Sequence, residues 1–279
     1  MLRPRDVSFS YRMFICPLVS GSSGNATYVA AGKTRILIDC GVSCRRLEGC
    51  LRQIGVEPSS LTALLTTHAH FDHTQSLGVF SRKYDLPIYA SIGTWDEMQK
   101  RGALGEIAVR NMKIFQSDGP KRTLDLGDME ATFFSTPHDA RDSVGYVLTD
   151  GKRKFGLATD CGTVTDALRK RLVGADVVLL EANYDREMLT KGPYPYPLKQ
   201  RILSDSGHLD NAEAGRFAVE LVRSGVRRIF LGHLSKENNT PRIAYDSVAG
   251  ILREAGIEPN RDFEIYMTRR DEPSRATEL

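Results

Sequence analysis

The sequence predicts an α/β protein in which two mixed β-sheets face each other and helices cover their outer faces, a four-layer αββα sandwich. Three observations predict it. Short strands and helices alternate over the first hundred residues, strands follow one another from Met112 to Leu157, and helix–strand alternation then returns. With 279 residues, no low-complexity linker and no internal repeat, the chain reads as one large domain.

The opening is a meander. Phe14 to Val19, Ala26 to Ala30 and Arg35 to Asp39 read as strands separated by the turns Ser20-Gly-Ser-Ser-Gly-Asn25 and Ala31-Gly-Lys33. Ser43 to Ile54 has helical spacing, with Leu47 and Leu51 on one face. Leu61 to Leu65 is a buried strand that runs into Thr66-Thr-His-Ala-His-Phe-Asp-His73. Thr74 to Tyr84 reads as a helix with Leu77, Phe80 and Tyr84 aligned, followed by the strand Pro87 to Ala90 and a helix from Thr94 to Arg101. Met112 to Phe115, Met129 to Ser135, Val144 to Thr149 and Lys154 to Leu157 are strands of a second sheet, with turns at Leu126-Gly-Asp128 and Asp150-Gly-Lys152. A helix at Val164 to Val173 and the strand Val177 to Leu180 lead to a Pro/Tyr-rich loop at Gly192 to Pro197. A helix from Asn211 to Ser224, the strand Arg228 to Leu231 and a last helix–strand pair through Tyr266 complete the domain. The fold is expected over residues 13–268, with residues 1–12 a polar extension and residues 269–279 a frayed tail.

Hydrophobic residues at 41% and charged residues at 26% exclude disordered, collagen-like and coiled-coil chains. Thirty-eight basic against 35 acidic side chains leave a net charge of +3, so any anion-binding surface must be local. Cys16, Cys40, Cys44, Cys50 and Cys161 form an odd set without CxxC spacing, which suits buried, reduced thiols. No apolar run is long enough to span a bilayer and no signal peptide opens the chain, so a cytoplasmic location is expected.

The six histidines carry the functional argument, because each sits in a short polar segment beside a predicted strand or helix end. Three of them, with Asp72, form His68-Ala-His70-Phe-Asp72-His73. In an extended loop residues i and i+2 point the same way, so His68 and His70 can share one metal ion, and the turn at Phe71-Asp72-His73 redirects the next two donors to a second. This differs from the helical HExxH arrangement, which serves one zinc ion. His138, Asp160 and His233, each at the end of a predicted strand, are the further candidate ligands.

With these residues in place, the sequence resembles the metallo-β-lactamase-fold hydrolases from about Met13 to Tyr266. It is more closely similar to the bacterial WalJ/YycJ exonuclease group. That similarity runs through Ser20-Gly-Ser-Ser-Gly-Asn25, Ile38-Asp39-Cys-Gly41, the His68 to His73 cluster, Pro193-Tyr-Pro-Tyr-Pro-Leu-Lys-Gln-Arg201, Ser206-Gly-His208-Leu209 and Leu231-Gly-His233-Leu-Ser-Lys-Glu-Asn-Asn239. The resemblance implies a first metal ion on His68, His70 and His138, a second on Asp72, His73 and His233, Asp160 bridging them, and Asp39 supporting the site from beneath. It also implies 5′-to-3′ exonuclease activity on double-stranded DNA.

Two divalent ions can hold a bridging hydroxide and neutralise the charge that develops on a phosphoryl group. The ions are expected to be zinc or manganese, with iron also suited to such donors. Asp72 and the proton donor His208, with Glu181 orienting a histidine, complete the catalytic residues expected. Asp210 and Glu213 read as a helix capping pair. For substrate phosphate and bases the candidates are Ser20, Ser22, Ser23 and Asn25 in the Gly-rich loop, Tyr194, Tyr196, Lys199 and Arg201, and Lys236 and Asn238 after His233. A Gly/Ser turn between strands is also simply a turn, so that loop takes its functional reading from the resemblance. The alternatives are an RNA-processing endonuclease or a small-molecule lactonase or thioesterase on the same fold, and a non-catalytic regulatory module, which would be expected to lose ligands.

Overall fold

The structure, a computed structural model, describes residues 12–119 and 122–279. The expected polar extension, apart from Arg12, lies outside the described residues. One sheet contains β1 (Phe14–Val19), β2 (Ala26–Ala31), β3 (Thr34–Ile38), β4 (Ala63–Leu65), β5 (Ile88–Ser91), β6 (Met112–Phe115) and β14 (Thr277–Glu278), in the order β14-β1-β2-β3-β4-β5-β6. The other contains β7 (Thr123–Asp125), β8 (Glu130–Ser135), β9 (Val144–Thr149), β10 (Lys154–Ala158), β11 (Val177–Glu181), β12 (Arg228–Gly232) and β13 (Glu264–Met267), in the order β13-β12-β11-β10-β9-β8-β7. Both sheets are mixed: β3 to β6 and β10 to β13 run parallel to their neighbours, and the hairpins are antiparallel.

Alternation along the strands explains the layers. In β11, Val177 and Leu179 enter the core between the sheets, while Val178 and Leu180 join the core beneath the outer helices. In β3, Ile36 and Ile38 face the inter-sheet core and Leu37 faces the other way. Because both faces are covered, these strands read as continuous apolar runs rather than polar/apolar alternation. Helices α1 (Cys44–Gln53), α3 (Leu77–Tyr84) and α4 (Ile92–Lys100) pack on the first sheet through Leu47, Leu51, Phe80, Trp95 and Met98. Helices α5 (Asp166–Leu172), α8 (Asn211–Arg223) and α9 (Pro241–Glu254) cover the second through Leu168, Phe217, Leu221, Val248 and Leu252. The αββα sandwich is therefore as expected.

Three local expectations are corrected. The helix expected over Thr74 to Tyr84 is split into α2 (Phe71–Thr74), which starts inside the histidine cluster, and α3. The Pro/Tyr-rich loop leads straight into α7 (Tyr196–Leu203), preceded by α6 (Arg186–Lys191). Pro195 is the N-cap of α7 and Pro197 lies in its first turn, where proline forfeits no helical hydrogen bond.

The tail expected to fray, residues 269–279, is instead tied down. Thr277 and Glu278 pair with Ile15 and Phe14, Ser274 N donates to Pro17 O (2.9 Å), and the Arg228 guanidinium donates to Thr277 Oγ1 (2.8 Å). A polar segment satisfies the open backbone groups of edge strand β1, which a hydrophobicity reading does not register.

Candidate metal centre

The candidate residues leave the sandwich at strand ends and gather along one edge of the two sheets. Asp39 follows β3, the His68 to His73 loop follows β4, His138 follows β8, Asp160 follows β10, Glu181 ends β11 and His233 follows β12. The chain turns sharply to bring them in. Asp39, Asp160 and His233 have φ of 64°, 57° and 55°, the left-handed region that costs a non-glycine residue of order 1–3 kcal/mol and persists only where the surroundings impose it. Close backbone approach also matters: a Cβ at Gly41 would lie 1.6 Å from the Asp72 carbonyl oxygen, so only glycine lets the strand exit pass behind the metal loop.

Among the described residues the donors form four overlapping groups, two of which match the two expected ion sites. One donor atom each from His68, His70 and His138 forms the first, and from Asp72, His73 and His233 the second, with all atoms of a group within 4.8 Å of one another. His138 Nε2 lies 3.3 Å from His70 Nδ1. Asp160 lies between the groups, its carboxylate oxygens 3.6 Å from His138 Nε2, 3.3 Å from His73 Nε2 and 3.5 Å from His233 Nε2.

The outer edges of four of the rings are occupied, which fixes their tautomers. His73 Nδ1–H donates to Asp39 Oδ2 (2.8 Å), His233 Nδ1–H to Glu181 Oε1 (2.8 Å), His138 Nδ1–H to Gly207 O (3.1 Å) and His68 Nδ1–H to Thr67 Oγ1 (3.1 Å). Each hydrogen bond turns Nε2 inward, as an imidazole that holds a metal ion requires, and Asn25 Nδ2 lies 3.1 Å from the Nε2 of His73. His68 Nε2, His233 Nε2 and Asp160 Oδ2 are buried without a hydrogen-bond partner. Buried polar atoms are ordinarily paired, so three orphans within this donor cluster fit divalent cations.

The electrostatics agree. Burial pushes His73 down, but the carboxylates of Asp160, Asp39 and Asp72 outweigh it and raise the imidazole well above its usual range. His233 is likewise lowered by burial and raised more by Asp160, Asp72 and Glu181, reaching about 10. Burial and then the neighbouring His73 imidazole hold His68 well below its ordinary value. The second group thus has an excess of negative charge that calls for cations.

Asp39 accepts from Thr67 N (2.8 Å), Thr67 Oγ1 (2.9 Å) and His73, beneath the cluster as the resemblance implies. Asp39→Ala is expected to weaken metal binding about 10–100-fold, measured by competition with a chelator, because His73 loses the partner that fixes its ring.

Glu181 joins the two candidate catalytic roles. It is fully buried, and one oxygen accepts from both His208 Nδ1 and His233 Nδ1 at 2.8 Å, while the other accepts from Cys161 N (2.8 Å) and Leu209 N (3.3 Å). His208 therefore turns its Nε2 edge away from Glu181, and the ring lines a pocket of about 160 Å³ with His138, Asp139, Asn183, Tyr194, Arg201, Ser22 and Ser235. Asp210 caps α8 by accepting from Glu213 N (2.7 Å).

The candidate substrate residues divide. Ser22, Tyr194 and Arg201 line the pocket, and Ser23, Tyr196 and Lys236 are exposed. Ser20, Asn25, Lys199 and Asn238 are engaged within the protein. Ser20 Oγ accepts from His233 N (2.9 Å), and Asn25 Nδ2 donates to the Gly21 (3.1 Å) and Asp72 (3.4 Å) carbonyls. Lys199 Nζ donates to Thr190 O (2.8 Å), and Asn238 is buried beside Ser235. Short polar side chains in a Gly-rich turn were needed to hold the turn against the metal loop.

Sequence reasoning missed Thr67, Asp139 and Asn183. Asn183 Nδ2 donates to His233 O (2.7 Å), and Asp139 lies 3.5 Å from His138 Nε2 while pairing with Arg201. Adjacency to a ligand was the only signal for Thr67 and Asp139, and none marked Asn183.

Comparison with known proteins agrees with this geometry. Residues 34–234 match the Beta-lactamase superfamily domain. Over 274 residues the chain is 36% identical to exodeoxyribonuclease WalJ of Streptococcus pneumoniae, covering 98% of this chain and 99% of that protein. It is 38% identical over 251 residues to exodeoxyribonuclease YycJ of Bacillus anthracis, covering 90% and 93%. The metallo-β-lactamase-fold protein YhfI from Bacillus subtilis shares the fold with a TM-score of 0.72 at 20% identity, over 96% of this chain and 100% of that one. Fold, strand-end donors and near-full-length similarity agree: the chain belongs to the β-lactamase superfamily and is a metal-dependent hydrolase of the metallo-β-lactamase fold.

Proposed function

We propose that this protein is a two-metal exodeoxyribonuclease that removes nucleotides from the 5′ ends of double-stranded DNA. The observation that carries the reading is 36–38% identity, over 90–98% of the chain, to two proteins named exodeoxyribonucleases. His68, His70 and His138 would hold one ion, Asp72, His73 and His233 the other, and Asp160 both. When bound, divalent ions neutralise the charge that accumulates on a phosphoryl group and make water acidic enough to react at neutral pH. Zinc and manganese both suit these nitrogen and oxygen donors, and iron does too. Zinc has further support from the fold of Zn(2+)-bound PqqB from Methylobacterium extorquens, with a TM-score of 0.69 at 17% identity over 96% of this chain and 100% of that one.

The chain's own residues supply position and a proton. Arg201, held by Asp139, presents a cation to the substrate phosphate, with Ser22 beside it in the pocket. His208, fixed through Nδ1 by Glu181, offers Nε2–H in its protonated form to the leaving oxygen. Glu181 acts through His208 and His233 and is a positioning residue. The five free thiols fit a reducing, cytoplasmic setting, and no helix among the described residues is long and apolar enough to cross a membrane.

Digestion of end-labelled linear duplex, beside single-stranded DNA and RNA, with Mn²⁺ or Zn²⁺ added, tests the reading. Release of 5′-terminal nucleotides from duplex, lost in Asp72→Ala, is expected. Release from 3′ ends would reverse the polarity, and preferred cleavage of RNA would favour the endonuclease alternative. No cleavage of any nucleic acid by metal-loaded protein would overturn the reading and turn attention to thioesters and lactones.

A further inference from the structure

An exposed aromatic side chain in the metal loop, Phe71, has no place in the packing or in the chemistry above. Among the described residues seven large hydrophobic side chains are exposed, and only Phe71 (68%) and Tyr196 (73%) are aromatic. Both lie on segments that deliver site residues. Phe71 stands between His70 and Asp72, and Tyr196 opens α7, the helix that carries Arg201. Phe71 belongs to none of the buried hydrophobic clusters. A single exposed apolar residue needs no explanation by itself, but this ring is carried by the metal loop, between two donors.

The main chain under that ring is held firmly. His73 N donates to His70 O (3.0 Å), Gln75 N to Phe71 O (3.0 Å) and Asn25 N to Asp72 O (2.8 Å). The backbone that carries the ring is therefore held in place beside the donors His70 and Asp72. A terminal base is the one most easily drawn out of the duplex stack as its phosphodiester approaches the donors. An unstacked base is stabilised by an aromatic face, whatever its sequence, because every base has a π-face.

We propose that Phe71 stacks on a base at the substrate's end, and so sets the preference of this site for nucleic-acid ends that carry bases. The inference rests on the nuclease reading, and the test separates the two. The rate of release of the first nucleotide is compared for wild type, Phe71→Ala and Phe71→Trp on two duplexes, one ordinary and one with abasic residues at its two 5′-terminal positions. Phe71→Ala is expected to lower kcat/KM about ten-fold on the ordinary end and less than about two-fold on the abasic end, with Phe71→Trp near wild type on both. The exposed position predicts an unchanged Tm for both variants. An equal loss on the two duplexes, or no loss on either while the wild type digests them, overturns the stacking role alone. A wild type that degrades no nucleic acid overturns the nuclease reading and this inference with it.

Discussion

Asp160→Asn is expected to lower duplex digestion by on the order of 10³-fold or more, corresponding to several kcal/mol of lost charge stabilisation. Asp160 is the carboxylate that reaches donors of both groups, at 3.6 Å from His138, 3.3 Å from His73 and 3.5 Å from His233. Asparagine keeps the size and one acceptor oxygen but removes the charge, so folding is expected to survive while ion binding does not. Circular dichroism checks the fold, and elemental analysis is expected to find fewer than two ions per chain. An Asp160→Asn protein with two bound ions and wild-type turnover would remove Asp160 from the centre.

Glu181→Ala is expected to have the largest effect on stability. Its carboxylate is fully buried, and it accepts from His208, His233, Cys161 N and Leu209 N. Truncation leaves four donors unpaired, His208 Nδ1, His233 Nδ1, Cys161 N and Leu209 N, at a cost of about 3–5 kcal/mol. Thermal unfolding is expected to shift down by on the order of 10 °C. Glu181→Gln, which keeps an acceptor, is expected to lose less.

The same residue predicts a pH signature. Burial acts to raise the Glu181 carboxyl, but the His208 and His233 imidazoles lower it more, from 4.5 to about 2. A group whose folded value is depressed contributes stability that is complete above the unfolded value and lost as pH falls through the folded one. Glu181 therefore supports the fold above about pH 4.5, and this support is lost between about 4.5 and 2. Stability of Glu181→Gln is expected to depend less steeply on pH in that window than the wild type does, measured by denaturant unfolding. Parallel curves would show that Glu181 is not the charged acceptor described here.

The layers and the donor types were legible in the sequence because both rest on local patterns. Strand runs such as Val177 to Leu180 are apolar on both faces, and HxHxDH places its donors by spacing alone. What escaped depends on contacts far apart in the chain. Thr277 joins Ile15 across the whole fold, and nothing within residues 269–279 announces it. Prolines at 195 and 197 signal a loop to any local rule, but in a first helical turn they are permitted, and the small cluster of Tyr184, Leu189 and Ile202 gives α6 and α7 something to pack on. Asn25 and Asn238 show a related limit of local reading. A short polar side chain near a ligand can contact substrate or support a loop, and only burial and partners distinguish the two.

The central claim is that two ions, held by seven side chains from the loops and the short helix that follow the strands, do the work. The direct measurement strips the protein with a chelator, returns metal in steps, and records bound ions per chain against the rate of 5′-end release. The account predicts negligible activity without metal and a rate that rises to its limit only as the second ion binds. Full activity at one ion per chain, or in the stripped protein, would contradict it.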